Sequence, residues 1–246
     1  MLQTSFFGKS DTGLKRPNNE DAFIIKPESG FCAVADGMGG AAAGELASSI
    51  FIETAAEIFF KYKDRSEKKT VELIQKVFSL SNTRILDHTA RNPAHKGMGC
   101  TAELLAFYGE RFVIGHVGDS RIYRYRNNQL KQLTKDHSLV QEQIDQGLIK
   151  PEQAMTHPMR NVIMRAVGIK ESVALDILKG ENKSGDLFLL CSDGLTDMVN
   201  DKVILETLSL PGTLSHKTDK LIESAKSAGG NDNITVVLSN KYYNNG

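Results

Sequence analysis

The 246 residues suit one large domain or two small ones. Hydrophobic residues make up 40% and charged residues 24%, so an ordinary globular core is possible. Lys+Arg and Asp+Glu each total 30, and a net charge of zero argues against nucleic acid or an anionic membrane surface as the main partner. The N-terminus lacks a charged segment followed by an apolar one, so no signal peptide is expected. No apolar run reaches the roughly 18 residues of a spanning helix. Cys32, Cys100 and Cys191 match neither zinc-site nor disulfide spacing, so buried reduced thiols and a cytoplasmic location are expected.

In chain order, "TSFFG", "DAFIIKP" and "GFCAVAD" read as strands. Residues 44–62 read as a helix. Glu45, Ser49, Glu53 and Glu57 form its polar stripe, and Ala47, Ile50, Phe51, Ile58 and Phe59 its apolar side. A second helix is predicted from Ser66 to about Asn92, ended by Pro93, with Val71, Ile74, Phe78 and Ile85 near one face. "TAELLAFY-GE-RFVIGHVG" reads as a hairpin with a two-residue, Gly-first turn. "RIYRYR-NN-QLKQL" reads as a second, anchored by Leu130 and Leu133. Residues 134–166 change character. They hold a short helix, "SLVQEQIDQG", capped by Ser138 and stopped by Gly147, a helix start at Pro151, and then "THPMRNVIMRAVG". This stretch is too polar and broken for core and is expected to lie over the sheet as an insertion. Strands return at "SVALDIL", "DLFLLCSD" and "NITVVLS", with helices at about 200–208 and 213–228 between the last two. Nothing marks a domain boundary, so one domain with strands inside and helices outside is the simplest arrangement.

The stretch "VADGMGG" ends an apolar run on Asp36 and follows it with Gly37, Gly39 and Gly40. "LFLLCSDGL" repeats the pattern with Asp193-Gly194. Further acids stand at strand ends or turns: Glu20 and Asp21 in "RPNNEDAF", Asp119 in "VGDSR" and Asp232 in "GGNDNIT". Each alone has a local explanation. Asp36 could be a turn residue, Asp119 could turn the chain and bond Ser120 or Arg121, and Asp232 could form an Asx-turn. Together they share one grammar, apolar strand followed by acid and turn, which delivers ligands to one edge of a sheet. Converging carboxylates repel, and divalent cations would neutralise them. An all-oxygen set suits Mg²⁺ or Mn²⁺ rather than Zn²⁺. His116, near Asp119, reads as a packed strand residue. With no side chain at Gly37, its carbonyl can turn toward an ion. Arg16, just before Glu20, is either a surface arginine before the Pro17 turn or a phosphate clamp. The EF-hand calcium pattern is absent, and with no Gly-x-x-x-x-Gly-Lys loop and no kinase signature set, phosphate chemistry at such a site would be metal-centred hydrolysis rather than nucleotide-dependent transfer.

The ordered set "RPNNEDAF", "VADGMGG", "GMGCTAELLAF", "FVIGHVGDSRIYRYRNNQLKQLTKDHS", "HPMRNVIMRAVG", "GDLFLLCSDGLTDMV" and "GGNDNITVVL" resembles the metal-dependent protein phosphatase family of the protein phosphatase 2C type. It is most similar to compact bacterial members, from about Thr4 to Leu238. The resemblance implies an α+β fold: a four-layer αββα sandwich of two packed antiparallel β-sheets flanked by helix pairs, with residues 1–246 as a single catalytic domain. It implies phosphoserine/phosphothreonine hydrolysis in proteins by water activated between two tightly bound Mn²⁺ or Mg²⁺ ions, with a third, weaker ion. Asp36 would bridge the two metals, the Gly37 carbonyl would bind the second, and Asp193 and Asp232 would complete the first. Glu20 and Asp21 would act through metal-bound waters, Arg16 would hold the phosphate, and Asp119 with Asp193 would hold the third ion. Residues of about 138–166 match the family's flap. Met38 replaces the histidine of eukaryotic members. His157 is either another proton donor or structural. Cys100 stands where Thr or Ser is commoner. Implied partners are phosphorylated proteins and a Ser/Thr protein kinase, with the phosphatase a monomer. A hydrolase of small phosphate esters and a non-catalytic phosphoprotein-binding module stay open as alternatives.

Overall fold

The computed structural model describes residues 2–39, 43–60, 66–154 and 156–243; Gly40 and the last two residues of the first predicted helix lie outside them. The strands are β1 (Leu2–Asp11), β2 (Asp21–Lys26), β3 (Phe31–Met38), β4 (Gly99–Cys100), β5 (Ala102–Tyr108), β6 (Arg111–Val117), β7 (Arg121–Arg126), β8 (Gln129–Gln132), β9 (Asp176–Glu181), β10 (Leu187–Cys191) and β11 (Ile234–Tyr243). The helices are α1 (Ala43–Phe60), α2 (Glu67–Arg91), α3 (Leu139–Asp145), α4 (Pro151–Ala154), α5 (Asp193–Thr196), α6 (Asp201–Ser209) and α7 (Leu214–Ser227).

One sheet runs β1-β11-β10-β7-β8 and the other β2-β3-β5-β6-β9, with β4 paired to β3. Every pairing within them is antiparallel. Alternation along the strands sends one face of each sheet to the other sheet and the opposite face to helices. Val34, Leu105, Ile114, Phe188, Leu190 and Val237 meet between the sheets. Phe51, Phe59, Ile74, Phe78 and Ile85 of α1 and α2 cover the outer face of one sheet. Ile204, Leu208, Leu221 and Ile222 of α6 and α7 cover the other. The arrangement is the four-layer αββα sandwich the resemblance implies. Among the described residues no helix is long and apolar enough to cross a membrane.

Local chemistry accounts for the element ends. Ser66 caps α2 by accepting the Lys69 N–H at 3.2 Å, and Asn92 closes it before Pro93. Gly109 (φ +53°) makes the tight β5–β6 turn, and Asn127 and Asn128 (φ +51° and +58°) make the β7–β8 turn. Leu130 packs on the α6–α7 side, whereas Leu133 enters the layer between the sheets.

Three local features differ from expectation. The strand expected to start at Ser172 starts at Asp176, because pairing with β6 begins at His116↔Asp176. Just upstream, the carbonyls of Lys170 and Glu171 are instead held by the Asn82 amide of α2 at 2.9 and 3.2 Å. β4 and the short α5 are additional; β4 is a pairing of two residues, too short for an alternating pattern.

The topology brings several ends to one rim. β2 starts at Asp21, β3 carries Asp36 and Gly37, β6 stops just before Gly118-Asp119, β10 stops just before Ser192-Asp193, and β11 starts just after Asp232-Asn233. The segment between β8 and β9 crosses beside this rim, with bridges Ser138↔Ile163 and Cys100↔Val167.

Candidate active site

Asp21 and Asp36 face each other in register across β2 and β3. Asp36 is fixed through its backbone, whose N–H donates to Thr101 Oγ1 at 3.1 Å and whose carbonyl accepts the Thr101 N–H at 2.9 Å. Its carboxyl is pushed far above the ordinary range by burial and by the charges of Asp21, Asp193, Asp119 and Asp232. Asp21 Oδ2 accepts from Ser192 Oγ and Thr235 Oγ1, each at 2.7 Å. Burial pushes its pKa up to about 6 against those hydrogen bonds.

Gly37 has a packing reason beyond a free carbonyl. A Cβ there would stand 2.1 Å from the Gly44 carbonyl oxygen at the start of α1 and 2.6 Å from that of Glu20. The Gly37 N–H also donates to the Glu20 carbonyl at 3.1 Å, and Ser48 Oγ donates to the same oxygen at 2.6 Å. The Glu20 carboxylate lies over Gly44, and its pKa is raised, mainly by burial.

Asp193 begins α5, and Gly194 follows because any Cβ would meet the Asn233 carbonyl oxygen at 1.9 Å. Asp193 is raised well above its ordinary pKa by burial, then by Asp119 and Asp197. Asp119 is 8% exposed, and burial and the charge of Asp136 lift its pKa to about 7. It does not pair with its neighbours as a turn residue would. Ser120 Oγ bonds Thr101 Oγ1 at 2.8 Å, and Arg121 grips Asp136 at 2.7 Å.

Asp232 accepts the Asn233 N–H at 2.8 Å through Oδ1 and the Arg16 guanidinium at 2.6 Å through Oδ2. This ion pair was not expected. Arg16 keeps half of its side chain in solvent. The loop bearing it docks through Asn233, whose amide donates to the carbonyls of Thr12 and Asn18 and accepts the Glu20 N–H.

The expected acids thus converge on one rim. Asp21 Oδ1, Asp119 Oδ1 and Asp193 Oδ1 are buried without a hydrogen-bond partner. Orphaned carboxylate oxygens in a low-dielectric setting are costly and call for a cation. The donor set is all oxygen and fits Mg²⁺ or Mn²⁺. Among the described residues no three such groups are already closed round a point that could hold an ion.

Two supporting groups escaped the sequence reading. Asp197, one helical turn after Asp193, also faces the site; its pKa is raised, first by burial, and Arg160 lies 3.6 Å away. Its i, i+4 spacing from Asp193 was the available signal. Glu103 is fully buried against His116 Nδ1 across β5 and β6. His116 is a packed strand residue, as expected, but an ionisable one. Burial opposes its charge and Glu103 outweighs that, raising it to about 9. His157 Nδ1 accepts the Met159 N–H at 3.2 Å, a structural role. Cys32, Cys100 and Cys191 are buried and free, and burial raises each thiol. A cavity of about 370 Å³ adjoins the rim, between Asp119, Asp193 and Asp197 on one side and Val140, Ile144, Pro151 and Arg160 on the other.

A two-sheet αββα sandwich with an all-oxygen acidic rim at one end of its strands defines the class of protein. Residues 14–238 match the family model described as protein phosphatase 2C, and the chain belongs to that family. It is 40% identical over 238 residues to the serine/threonine protein phosphatase PstP of Mycobacterium tuberculosis, covering 97% of this chain. It spans only 45% of that relative's length. It is 39% identical to the serine/threonine phosphatase stp of Listeria monocytogenes, covering 94% of this chain and 93% of that one. The crystal structure of the PstP catalytic domain in complex with two manganese ions superposes with a TM-score of 0.90 at 37% identity, over 99% of this chain and all of that one.

Proposed function

We propose that the chain is a metal-dependent protein-serine/threonine phosphatase that hydrolyses phosphoserine and phosphothreonine in proteins. The observation that carries this reading is the trio of buried, partnerless carboxylate oxygens on Asp21, Asp119 and Asp193, with Arg16 on the same rim. Asp36, the Gly37 carbonyl, Asp193 and Asp232 would hold two ions, Mn²⁺ or Mg²⁺, and Asp119 with Asp193 a third, weaker one. Glu20 and Asp21 would reach the ions through water. Bound divalent ions supply an activated water and absorb charge on the phosphoryl group.

The chain's own groups do the rest. Arg16 presents its fork to a phosphate from a half-exposed position. Ser192 and Thr235 keep Asp21 Oδ2 saturated, which aims Oδ1 at the rim. Asn233 fixes the loop that carries Arg16. Met38 offers no proton, and His157 is engaged elsewhere, so protonation of the leaving oxygen falls to the Asp119 side of the rim. Residues 1–246 act as one catalytic domain, with about 138–166 as a flap over the cavity beside the acids. The substrates are phosphorylated proteins, the opposing enzyme is a Ser/Thr protein kinase, and the phosphatase works in signalling as a cytoplasmic monomer in a bacterium. The buried free thiols fit a reducing compartment.

Phosphate release from a phosphothreonine peptide, a nucleoside monophosphate and a phosphodiester, each with Mn²⁺ and then with excess chelator, tests the reading. Metal-dependent turnover confined to the peptide is expected. Preference for the small esters, or turnover that survives chelation, would overturn it.

A further inference from the structure

His137 lies just outside the acidic rim and grips one residue from both sides. Its backbone N–H donates to the Gly118 carbonyl at 2.7 Å, and its ring Nδ1 accepts the Gly118 N–H at 3.1 Å. Gly118 is the residue before Asp119. It takes φ +118°, and a Cβ there would meet Thr101 Cβ at 2.5 Å, so the turn has one conformation to hold.

The protonation pattern of the ring follows from its partners. A backbone N–H can only donate, so Nδ1 carries no proton and Nε2 must carry it in the neutral ring. Nε2 then donates to Asp176 Oδ2 at 3.2 Å; Arg165 Nη1 also stands 3.1 Å from Nε2, but that half-exposed side chain can turn its N–H away, whereas the Gly118 N–H is fixed by the backbone. Arg165 Nη1 donates to the other oxygen, Asp176 Oδ1, at 3.1 Å. The cationic ring would set an Nδ1–H against the Gly118 N–H. Burial and the neighbouring His116, whose ring centroid is 4.4 Å away, disfavour it and lower the pKa to about 4. Arg165 belongs to the stretch laced on one side to His137 (Met164 N–H to His137 O, 2.7 Å) and on the other to Cys100 (Val167 N–H to Cys100 O, 2.9 Å). Cys100 is the strand partner of Gly37.

We propose that His137 is a positioning residue for Asp119. In the Nε2–H tautomer, set by the Gly118 N–H and the Asp176 carboxylate, it pins the Gly118 peptide and so fixes the Asp119 carboxylate beside Asp193. This rests on the reading of Asp119 as part of the phosphatase centre.

Asp176→Asn is the informative variant. Arg165 only donates, so it holds the amide oxygen and turns the amide NH₂ toward His137 Nε2. Two donors then meet, and the ring must shift its proton to Nδ1 and release Gly118. Ring ¹⁵N shifts of His137, the Gly118 amide shift and Mn²⁺ calorimetry are to be read on wild type, Asp176→Asn, His137→Ala and His137→Asn. The wild type is expected to show the Nε2–H tautomer. In Asp176→Asn the Gly118 amide should lose its hydrogen-bonded shift. The weakest Mn²⁺ site and peptide turnover should each fall about tenfold, as for removal of an outer-shell partner. The tight Mn²⁺ binding should be unchanged. His137→Asn, whose Oδ1 can replace Nδ1 as acceptor, should recover most of what His137→Ala loses. An Nδ1–H tautomer in the wild type would overturn the proposal. So would an unchanged Gly118 amide and weak Mn²⁺ site in Asp176→Asn, or His137→Asn as impaired as His137→Ala. If the wild type proves to be no phosphatase at all, the functional reading fails, and the ring and Gly118 shifts alone decide the role of His137.

Discussion

Strand β10 has an aspartate just outside each end, and the two are treated in opposite ways. Asp186 is fully buried and saturated: Arg126 grips both oxygens at 2.5 Å each, and the Lys183 N–H adds a bond at 2.8 Å. Asp193, six residues after β10 begins, has a buried oxygen with no partner and faces Asp36, Asp119 and Asp232. The same contrast holds across the sandwich. At the Asp186 end, Glu181 pairs with Lys183 at 3.1 Å, and Glu67 with Lys179 at 2.9 Å. At the Asp193 end, among the described residues, Arg16 bonds one of the expected acids, Asp232, and Arg160 stands 3.6 Å from Asp197. A buried carboxylate needs a countercharge. Where the chain supplies one, the acid stabilises structure. Where the chain gathers acids and supplies almost none, the countercharge must come from outside, and that is the physical signature of a divalent-metal centre.

The largest effect should come from breaking the unpaired end. Asp36→Asn is expected to lower phosphopeptide turnover by more than about 100-fold, beyond the range typical of outer-shell changes. In chelator the same variant should melt no lower than wild type, since it removes a charge that burial and four neighbouring acids disfavour. A melting curve and an initial-rate assay on one preparation check both.

Arg126→Ala should do the reverse. It strands buried Asp186 without its fork and should cost about 3 kcal/mol, the low end for breaking a buried pair, because Arg126 is partly solvated. Denaturant unfolding should register that loss while kcat per folded molecule stays at the wild-type value.

Arg16→Ala sharpens the contrast within the active end. It should weaken kcat/KM for the phosphopeptide about tenfold, at the scale of one charge-assisted phosphate contact. Mn²⁺ binding, followed by calorimetry, should hold or tighten, because Asp232 is freed of its ion pair.

The smallest effect is a slope. Folding raises Asp21 to about 6 and Asp119 to about 7, both above the usual ~3.9 of a free aspartate. Between about pH 4 and pH 7 the folded chain therefore holds more protons than the unfolded one, and stability falls as pH rises through that window. Below it both states are protonated and the contribution is complete. Melting temperatures in chelator should decline from pH 5 to pH 7.5, and saturating Mn²⁺, which binds the deprotonated acids, should reverse the trend.

Much of this was legible in the chain. Asp36, Asp119, Asp193 and Asp232 each end an apolar strand or precede one, and strand ends fall at sheet rims by geometry alone. The two hairpin turns even fix register: a turn at 109–110 sets Glu103 opposite His116, a pair that the alternation of apolar neighbours disguised. Other features depend on contacts between separate elements, which local pattern does not encode. Gly37 is glycine because Gly44 of another element crosses it at close range. Asn233 ties down the Arg16 loop across more than two hundred residues. β9 starts four residues late because its partner strand, not its own composition, decides where pairing begins.

The central claim is that the acids of one end, and not those of the other, await divalent cations. Calorimetric Mn²⁺ titration of the wild type, Asp36→Asn and Asp186→Asn tests it most directly. At least two ions should bind tightly to the wild type and to folded Asp186→Asn, with tight binding lost in Asp36→Asn. Absence of saturable binding to the wild type, or binding undiminished in Asp36→Asn, would contradict it.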